Sequence, residues 1–326
     1  MSAHKWVVNN PGTSEEMEWQ AFEPDPPGPG EIQVEQAAVG VNMIDTYVIS
    51  GAYAIDPYPL TPGVEGAGTV TAVGEGAESF AVGDRVAYGG PPLGAYSTVR
   101  NMWPGYAVKI PDWLGFEDAA AIMIAGPTAQ MMVKRVYNVK PGTKVLVHAA
   151  AGSTGDSLVR WCAHLEAEVF GTVGSEEKAV RAKNAGCSHV INYREGNFAD
   201  QILEATDGRG IDVVYDGIGK DTFDDSMRSL TPIGMFVTFG QASGPLPPID
   251  LSVVPVTYSN FIARPSVFAF NAERETYVES MSDVFDVLEK NILNATPGHV
   301  YPLEEAPKAL SDLMERKTVG SIVYSI

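Results

Sequence analysis

The residues best placed to do chemistry stand where a strand pattern turns into a helix pattern. In Val145-Leu-Val-His-Ala-Ala-Ala-Gly-Ser-Thr-Gly155 a β-branched apolar run ends in small residues. Leu158, Val159, Trp161, Cys162 and Leu165 then follow at helical spacing. This is the strand–turn–helix of a dinucleotide-binding βαβ unit, in which glycines let a pyrophosphate approach the backbone and let helix pack closely on strand. Ala150, Gly152 and Gly155 occupy the three positions of the Gly-x-Gly-x-x-Gly spacing. The helix N-terminus offers unpaired N–H groups and the positive end of its dipole to phosphate oxygens. Ala150 departs from the pattern, and an ordinary tight turn would read the same way, so the surrounding elements must decide.

Those elements must include a second strand, and its end selects the cofactor. In NAD-binding versions an acid there holds the ribose 2′-hydroxyl. After Glu168–Val173 this chain has Gly174 and Ser175, with Lys178 one helical turn further on. A missing carboxylate beside a cation favours a 2′-phosphate, hence NADPH. Glu176 and Glu177 offer the counter-reading. Acids in a first helical turn are common for dipole reasons alone, and both are read as structural, behind Ser175 as N-cap.

Further apolar strands are expected at His189–Tyr193, Ile211–Asp216 and Gly234–Gly240, alternating with helices. Strands apolar on both faces belong to a buried parallel sheet of the doubly wound class. The first part of the chain reads differently. Short strands and frequent turns, as in Pro26–Gly30, Gly66–Gly74 and Gly83–Tyr88, give an all-β pattern. A chain of 326 residues suggests two domains. The expected division is a β-rich domain over 1–126, a dinucleotide-binding domain over 127–265, and a tail over 266–326 that returns to complete the first. The first boundary falls near Gly126-Pro127, before a helix expected over Ala129–Val136. The tail carries helices over Val278–Glu289 and Ala306–Glu315, and strands at Gly298–Leu303 and Gly320–Tyr324.

A net charge of −19 argues against nucleic acid and anionic membranes as partners, while leaving room for one local basic pocket. The longest apolar run, Ala119–Val133, is interrupted by Gly126-Pro127 and too short to span a bilayer. With no apolar signal core at the start, the expected location is the cytoplasm. Cys162 and Cys187 form no disulfide framework and no zinc motif, and Cys162 sits on the apolar stripe of its helix. His148 and His189 read as strand residues rather than bases.

Several segments together carry a family resemblance: Val41-Asn-Met-Ile-Asp-Thr-Tyr47 with Ser50-Gly-Ala-Tyr53, Gly83–Val86, His148–Gly155, Gly171–Lys178, Val190–Tyr193, Val214–Asp216 and Ala263–Ser266. Over essentially its whole length the chain resembles quinone oxidoreductases of the zeta-crystallin-like branch of the medium-chain dehydrogenase/reductase superfamily. The resemblance implies an α/β enzyme with a Rossmann-type doubly wound parallel sheet plus a GroES-like β-rich catalytic domain. It also implies NADPH in the interdomain cleft and a homodimer. By motif position, Gly174, Lys178 and Tyr193 would surround the adenosine phosphate, helped by Arg316 from the tail. Asn42, Tyr47 and Thr128 would lie by the nicotinamide. Gly152, Ser153, Thr154, Gly155, Ser175, Gly217, Phe239 and Gly240 complete the candidate cofactor set. Asn42, Tyr47, Tyr53 and Arg264 are the candidate catalytic residues. Plainer readings stand beside these roles. Asn42 fits a turn, Asp45 a helix cap, the tyrosines a core with wetted hydroxyls, and Arg264-Pro-Ser a rigid connection. Ser153-Thr154 replaces the family's more usual Gly-Val. Asp156 puts an acid at the helix start and is expected to be solvated or capping.

Zinc alcohol dehydrogenases of the same superfamily need a Cys where this chain has Asn42, a His where it has Val64, and four clustered Cys for a structural zinc. No metal is expected here. A zinc enzyme can hold a localised alkoxide. A quinone or enone instead yields a delocalised phenolate or enolate, for which hydrogen bonds suffice. The activity the resemblance implies is NADPH-dependent reduction of a quinone, and direct hydride transfer is expected because no Cys or Ser stands beside a base in a nucleophile motif. Two alternatives remain. One is reduction of an activated alkene such as an enone, an alkenal or a 2-haloacrylate, because Ile218–Thr222 and Ala242–Gly244 resemble segments of the family's haloacrylate reductases. The other is a non-catalytic, crystallin-like NADPH-binding protein.

Overall fold

Turn-forming residues cut the first third of the chain into short strands. The computed structural model describes residues 2–53, 57–249 and 259–326. Its first strands are β1 (Ala3–Val7), β2 (Glu18–Phe22), β3 (Ile32–Val41), β4 (Glu65–Val73), β5 (Arg85–Gly89), β6 (Val99–Met102) and β7 (Ala107–Lys109). Gly30 and Gly83 hold φ of 76° and 93°, a left-handed backbone that glycine adopts without a Cβ penalty. β3 is the hub of this region, pairing antiparallel with both β4 and β6 and burying Ile32, Val34 and Val39. Helix α1 (Met43–Ile49) follows it after a single residue, and α2 (Phe116–Ala120) and α3 (Ala125–Met131) come after β7. The helix expected over Ala129–Val136 begins earlier, at Ala125, and its last part is the wider turn Met132–Val136. Gly126 and Pro127 lie in its first turn, where proline's missing N–H has no helical carbonyl to lose.

A strand-and-helix alternation then runs β8 (Lys144–Val147), α4 (Ser153–His164), β9 (Glu168–Val173), α5 (Glu176–Ala185), β10 (His189–Asn192), α6 (Phe198–Ala205), β11 (Ile211–Asp216), α7 (Phe223–Ser229), β12 (Leu230–Thr238) and β13 (Phe261–Ala263). The six strands form one parallel sheet in the order β10-β9-β8-β11-β12-β13. From β8 the chain winds out to β10 and comes back to β11 on the other side of β8. The carboxyl ends of β8 and β11 therefore flank the switch point, where doubly wound sheets take their ligands. Val145, Leu146, Val147, Val213, Val214 and Tyr215 are wholly buried, as strands covered by helices on both faces must be.

The tail contains α8 (Val267–Phe270), α9 (Arg274–Glu289), β14 (His299–Pro302), α10 (Ala306–Met314) and β15 (Ile322–Ser325). β15 pairs antiparallel with β3, so the last strands extend the first sheet to the order β14-β15-β3-β4-β5-β7. Leu303, Ala306, Leu310, Ile322 and Tyr324 join the core built around Trp6, Ile32 and Val34. Two compact units result. One is Met1–Pro127 with Asn271–Ser282 and Ala295–Ile326, and the other is Thr128–Phe270 with Asp283–Asn294. The change-overs at 127/128 and 270/271 compare with expected boundaries at 126/127 and 265/266, and the second stretch of the tail, 283–294, groups with the parallel-sheet unit. Among the described residues, no helix is long and apolar enough to cross a membrane.

Candidate active site

In the second unit, β8 stops at Val147 and the chain enters α4 through a turn in which Ala149 takes φ 51°. Gly152 is the N-cap, its N–H bonding Ala149 O at 2.9 Å, and the Asp156 N–H bonds Gly152 O at 2.8 Å. Ser153, Thr154 and Gly155 thus form the helix's first turn, whose N–H groups precede any helical carbonyl partner. A Cβ on Gly152 would meet only Ala149 O, at 3.3 Å, so this side of the turn is open to a ligand. A Cβ on Gly155 would lie 2.2 Å from the same oxygen, so Gly155 is the close-packing glycine. Ala150, which breaks the glycine spacing, gives its N–H to Thr172 O at 3.1 Å and packs its methyl beside Gly171. The left-handed residue of the turn is Ala149, so the following position has no need of glycine. The turn suits a pyrophosphate.

Asp156 is not the solvated or capping acid expected from sequence. It is 2% exposed, and its carboxylate receives Arg160 Nε at 2.6 Å and Arg181 Nε at 3.1 Å. Both guanidinium groups arrive from the helices, so its charge is matched within α4 and α5.

At the end of β9, Ser175 caps α5 by accepting the Lys178 N–H at 3.4 Å. The Tyr193 hydroxyl lies where a side chain on Gly174 would project, 2.4 Å from a Cβ there. Gly174, Ser175, Lys178 and Tyr193 therefore share one corner, and Glu176 and Glu177 are exposed in the first turn of α5. Gly217, Phe239 and Gly240 also meet. A Cβ on Gly217 would touch the Phe239 ring at 3.1 Å, and one on Gly240 would be 2.7 Å from Gly217 O. They stand at the carboxyl ends of β11 and β12. Thr128 is buried in α3, and Arg264 is exposed just past β13. Arg316, exposed with φ 62° in the turn after α10, belongs to the first unit.

His148 lies one residue past β8, not within it. Its Nδ1 meets the Thr172 hydroxyl at 2.8 Å and its Nε2 the Ser226 hydroxyl at 2.9 Å. Burial pushes its pKa down, so the ring is neutral and serves as a tie between β8, β9 and α7. Burial raises the Cys162 thiol, with the neighbouring Cys187 adding to it, and pushes Cys187 up to about 12. Neither is a thiolate nucleophile.

In the first unit the site residues gather around the start of α1. Asn42 is its N-cap, and its N–H donates to Asp45 Oδ2 at 2.8 Å. The Asn42 side-chain Nδ2 lies 2.6 Å from Glu65 Oε2 on β4, while Glu65 Oε1 accepts the Ile124 N–H at 2.7 Å. Asp45 Oδ2 also accepts the Tyr96 hydroxyl at 3.0 Å, and Tyr324 backs Tyr96 edge-on with ring centroids 5.0 Å apart. Both carboxyls are buried. Desolvation raises Asp45 to about 7 against the bonds from Asn42 and Tyr96, and raises Glu65 to about 8 against those from Asn42 and the backbone. Tyr47 and Tyr53 are half-buried, their rings tilted with centroids 5.0 Å apart, and the Tyr53 N–H bonds Tyr47 O at 2.9 Å.

Asp45 is thus the capping acid expected from sequence, and Asn42 more than a turn residue. Glu65 was not among the expected site residues. The signal available was an acid inside the small apolar run Gly63-Val-Glu-Gly-Ala-Gly68, a costly place for a carboxylate without a task. Among the described residues, no group of three or more His, Cys, Asp or Glu is placed to hold a metal ion.

Two family models match the chain. That of the alcohol dehydrogenase GroES-like domain covers residues 28–112, and that of the zinc-binding dehydrogenases covers residues 154–284. The second description names zinc, yet its span excludes Asn42 and Val64. A 2-haloacrylate reductase from Burkholderia sp is 39% identical over 323 residues, 97% of each chain. A quinone oxidoreductase from Pseudomonas aeruginosa is 39% identical over 313 residues, 96% of each. The structure of Escherichia coli quinone oxidoreductase complexed with NADPH superposes with a TM-score of 0.96 at 35% identity, covering 99% of this chain and all of that one. Parallel sheet, GroES-like sheet and whole-length similarity agree, and the chain belongs to the zinc-free quinone oxidoreductase branch of the medium-chain dehydrogenase/reductase superfamily.

Proposed function

We propose that this protein is an NADPH-dependent quinone reductase that transfers hydride directly to its acceptor without a metal. The observation that carries this reading is the corner at the end of β9, where the Tyr193 hydroxyl lies against Gly174, Lys178 stands in the first turn of α5, and no acid ends the strand. Relatives named quinone oxidoreductases, and one solved with NADPH, support it. The open turn at Gly152 and the first N–H groups of α4 take the pyrophosphate. Lys178 and Tyr193 take the 2′-phosphate. Thr128, Gly217, Phe239 and Gly240 complete the nucleotide's surroundings. NADPH supplies the hydride when bound. Asn42 and Tyr47 donate hydrogen bonds to the quinone oxygen as negative charge develops on it. Tyr47 or a water gives the final proton, and Tyr53 holds the Tyr47 ring by packing against it. Arg264 offers a positive charge to the substrate side.

NADPH oxidation with 1,4-benzoquinone, set beside a panel of enones and 2-chloroacrylate, tests the reading. The expected result is turnover with the quinone. Tyr47→Phe should slow it about tenfold with NADPH affinity nearly kept, since one lost hydrogen bond is worth up to about 1.5 kcal/mol. Asn42→Ala should cost at least as much. Wild-type rates in both variants would make these residues structural. The 39% identical 2-haloacrylate reductase supports a second reading, reduction of an activated alkene, whose enolate needs the same donors. Turnover of alkenes alone would select it, and tight NADPH binding with no turnover would select a non-catalytic role.

We also read the protein as a cytoplasmic homodimer. Two buried free cysteines suit a reducing compartment. Among the described residues β13 ends the parallel sheet, with Phe261 53% exposed, and Ile233 on the neighbouring strand β12 is 67% exposed. An apolar strand edge of this kind invites a second strand. Sedimentation should give a dimer, and Phe261→Asp should shift it towards monomer. A monomeric wild type would end this proposal.

A further inference from the structure

His148 occupies the switch point of the parallel sheet. Its backbone N–H bonds Tyr215 O of β11 at 3.0 Å, and the next residue, Ala149, makes the left-handed turn towards α4. Its ring reaches in two other directions, to Thr172 on β9 and to Ser226 on α7, and Phe198 of α6 packs edge-on against it with centroids 5.0 Å apart. The hydroxyl partners decide which nitrogen carries the hydrogen. Ser226 Oγ lies 2.6 Å from Thr222 O, so its own hydrogen is committed to that carbonyl and it can only accept from the ring. Nε2 therefore carries the hydrogen, and Nδ1 accepts that of the Thr172 hydroxyl.

Each end of this bridge leads to a stretch in the candidate cofactor set. Thr172 O accepts the Ala150 N–H at 3.1 Å, inside the turn proposed to take the pyrophosphate. Ser226 holds Thr222, whose hydroxyl bonds Asp216 Oδ2 at 2.7 Å. The other oxygen of that buried carboxylate accepts the N–H groups of Ile218 at 2.5 Å and Gly219 at 3.0 Å, which shapes the chain just after Gly217. The Ala242 N–H to Gly217 O at 3.2 Å and the Ser243 N–H to Ile218 O at 2.8 Å stitch this loop to the one after β12. The strand order β9-β8-β11-β12 puts the acid-free corner on one side of the turn and these loops on the other. For a dinucleotide with its pyrophosphate at the turn, that other side belongs to the nicotinamide half. We propose that His148, as its Nε2–H tautomer, is a positioning residue that locks the turn before α4 to the loop 217–222, so that both halves of the cofactor meet one preset frame. The proposal rests on the NADPH reading above. The Thr172 bond holds the turn and governs affinity, and the Ser226 bond holds the loop and governs turnover.

Spectra of the cofactor-free full-length protein labelled with 15N-histidine read the tautomer directly. At neutral pH the His148 ring should be uncharged with its hydrogen on Nε2. A hydrogen on Nδ1 instead, or on both nitrogens, overturns the proposal, and this needs only the wild type should a variant fail to fold. Titrations with 2′-AMP, which fills the 2′-phosphate corner alone, and with NADPH follow on two variants. Thr172→Val should raise the dissociation constant for NADPH about tenfold with kcat nearly kept. Ser226→Ala should lower kcat about tenfold at saturating NADPH and 1,4-benzoquinone with the dissociation constant nearly kept. Both variants should bind 2′-AMP as the wild type does. Equal losses of 2′-AMP and NADPH affinity, or the same fall in kcat from both substitutions, mark a general loosening of the fold and overturn the proposal. Wild-type protein that binds both ligands, with variants that match it in binding and turnover, overturns this proposal alone. Wild-type protein that binds neither ligand overturns the NADPH reading, and this proposal with it.

Discussion

Gly155→Ala is expected to weaken NADPH binding about 100-fold and to lower the thermal midpoint. A methyl there would lie 2.2 Å from Ala149 O and 2.9 Å from Ala149 C, both backbone atoms, so no side-chain rotation relieves the clash. Ala149 O also accepts the Gly152 N–H that sets the turn. Displacing it therefore opens the turn itself. Overpacking of this kind costs about 1–3 kcal/mol, and the helix preference for alanine over glycine offsets at most about 1 kcal/mol. Gly152→Ala is the control. Its methyl meets one atom at 3.3 Å, so the midpoint should stay nearly constant while NADPH binding falls, because the methyl stands where the phosphate approaches. Titration calorimetry with NADPH and scanning calorimetry on both variants check this. Unchanged affinity in both would place the nucleotide elsewhere.

Lys178→Ala is expected to raise the dissociation constant for NADPH by one to two powers of ten and leave that for NADH nearly unchanged. A charge-assisted hydrogen bond to a phosphate is worth about 1.5–3 kcal/mol. Lys178 starts from the first turn of α5, where the Ser175 cap fixes the backbone beside Gly174. Parallel NADPH and NADH titrations of wild type and variant give the answer. Equal use of both cofactors by the wild type would defeat the assignment.

Periodicity made the parallel sheet legible, because strands buried on both faces must be apolar throughout and their helices must keep a 3.6-residue stripe. The tight turn before α4 and the absence of an acid directly after β9 were legible for the same reason, since each is a local stretch. What escaped the sequence depends on partners far along the chain. Asp156 meets Arg181 across 25 residues, and Asn42 meets Glu65 across 23. No local spacing announces either pair. The start of α3 escaped because Gly126-Pro127 reads as a break, although the first turn of a helix tolerates proline. The division of the tail between two units escaped because burial of its helices, rather than their pattern, decides where each part packs.

The two ion pairs of Asp156 have a mechanical meaning. One carboxylate near the start of α4 grips Arg160 of the same helix and Arg181 of α5. α4 begins at the turn proposed to take the pyrophosphate and α5 at the corner proposed to take the 2′-phosphate. The carboxylate acts as a strut between the two helices, setting the spacing of the two proposed phosphate sites before any nucleotide arrives. A dinucleotide meeting such a rigid ruler loses less to ordering the protein, and a mononucleotide that reaches only one end gains nothing from the other.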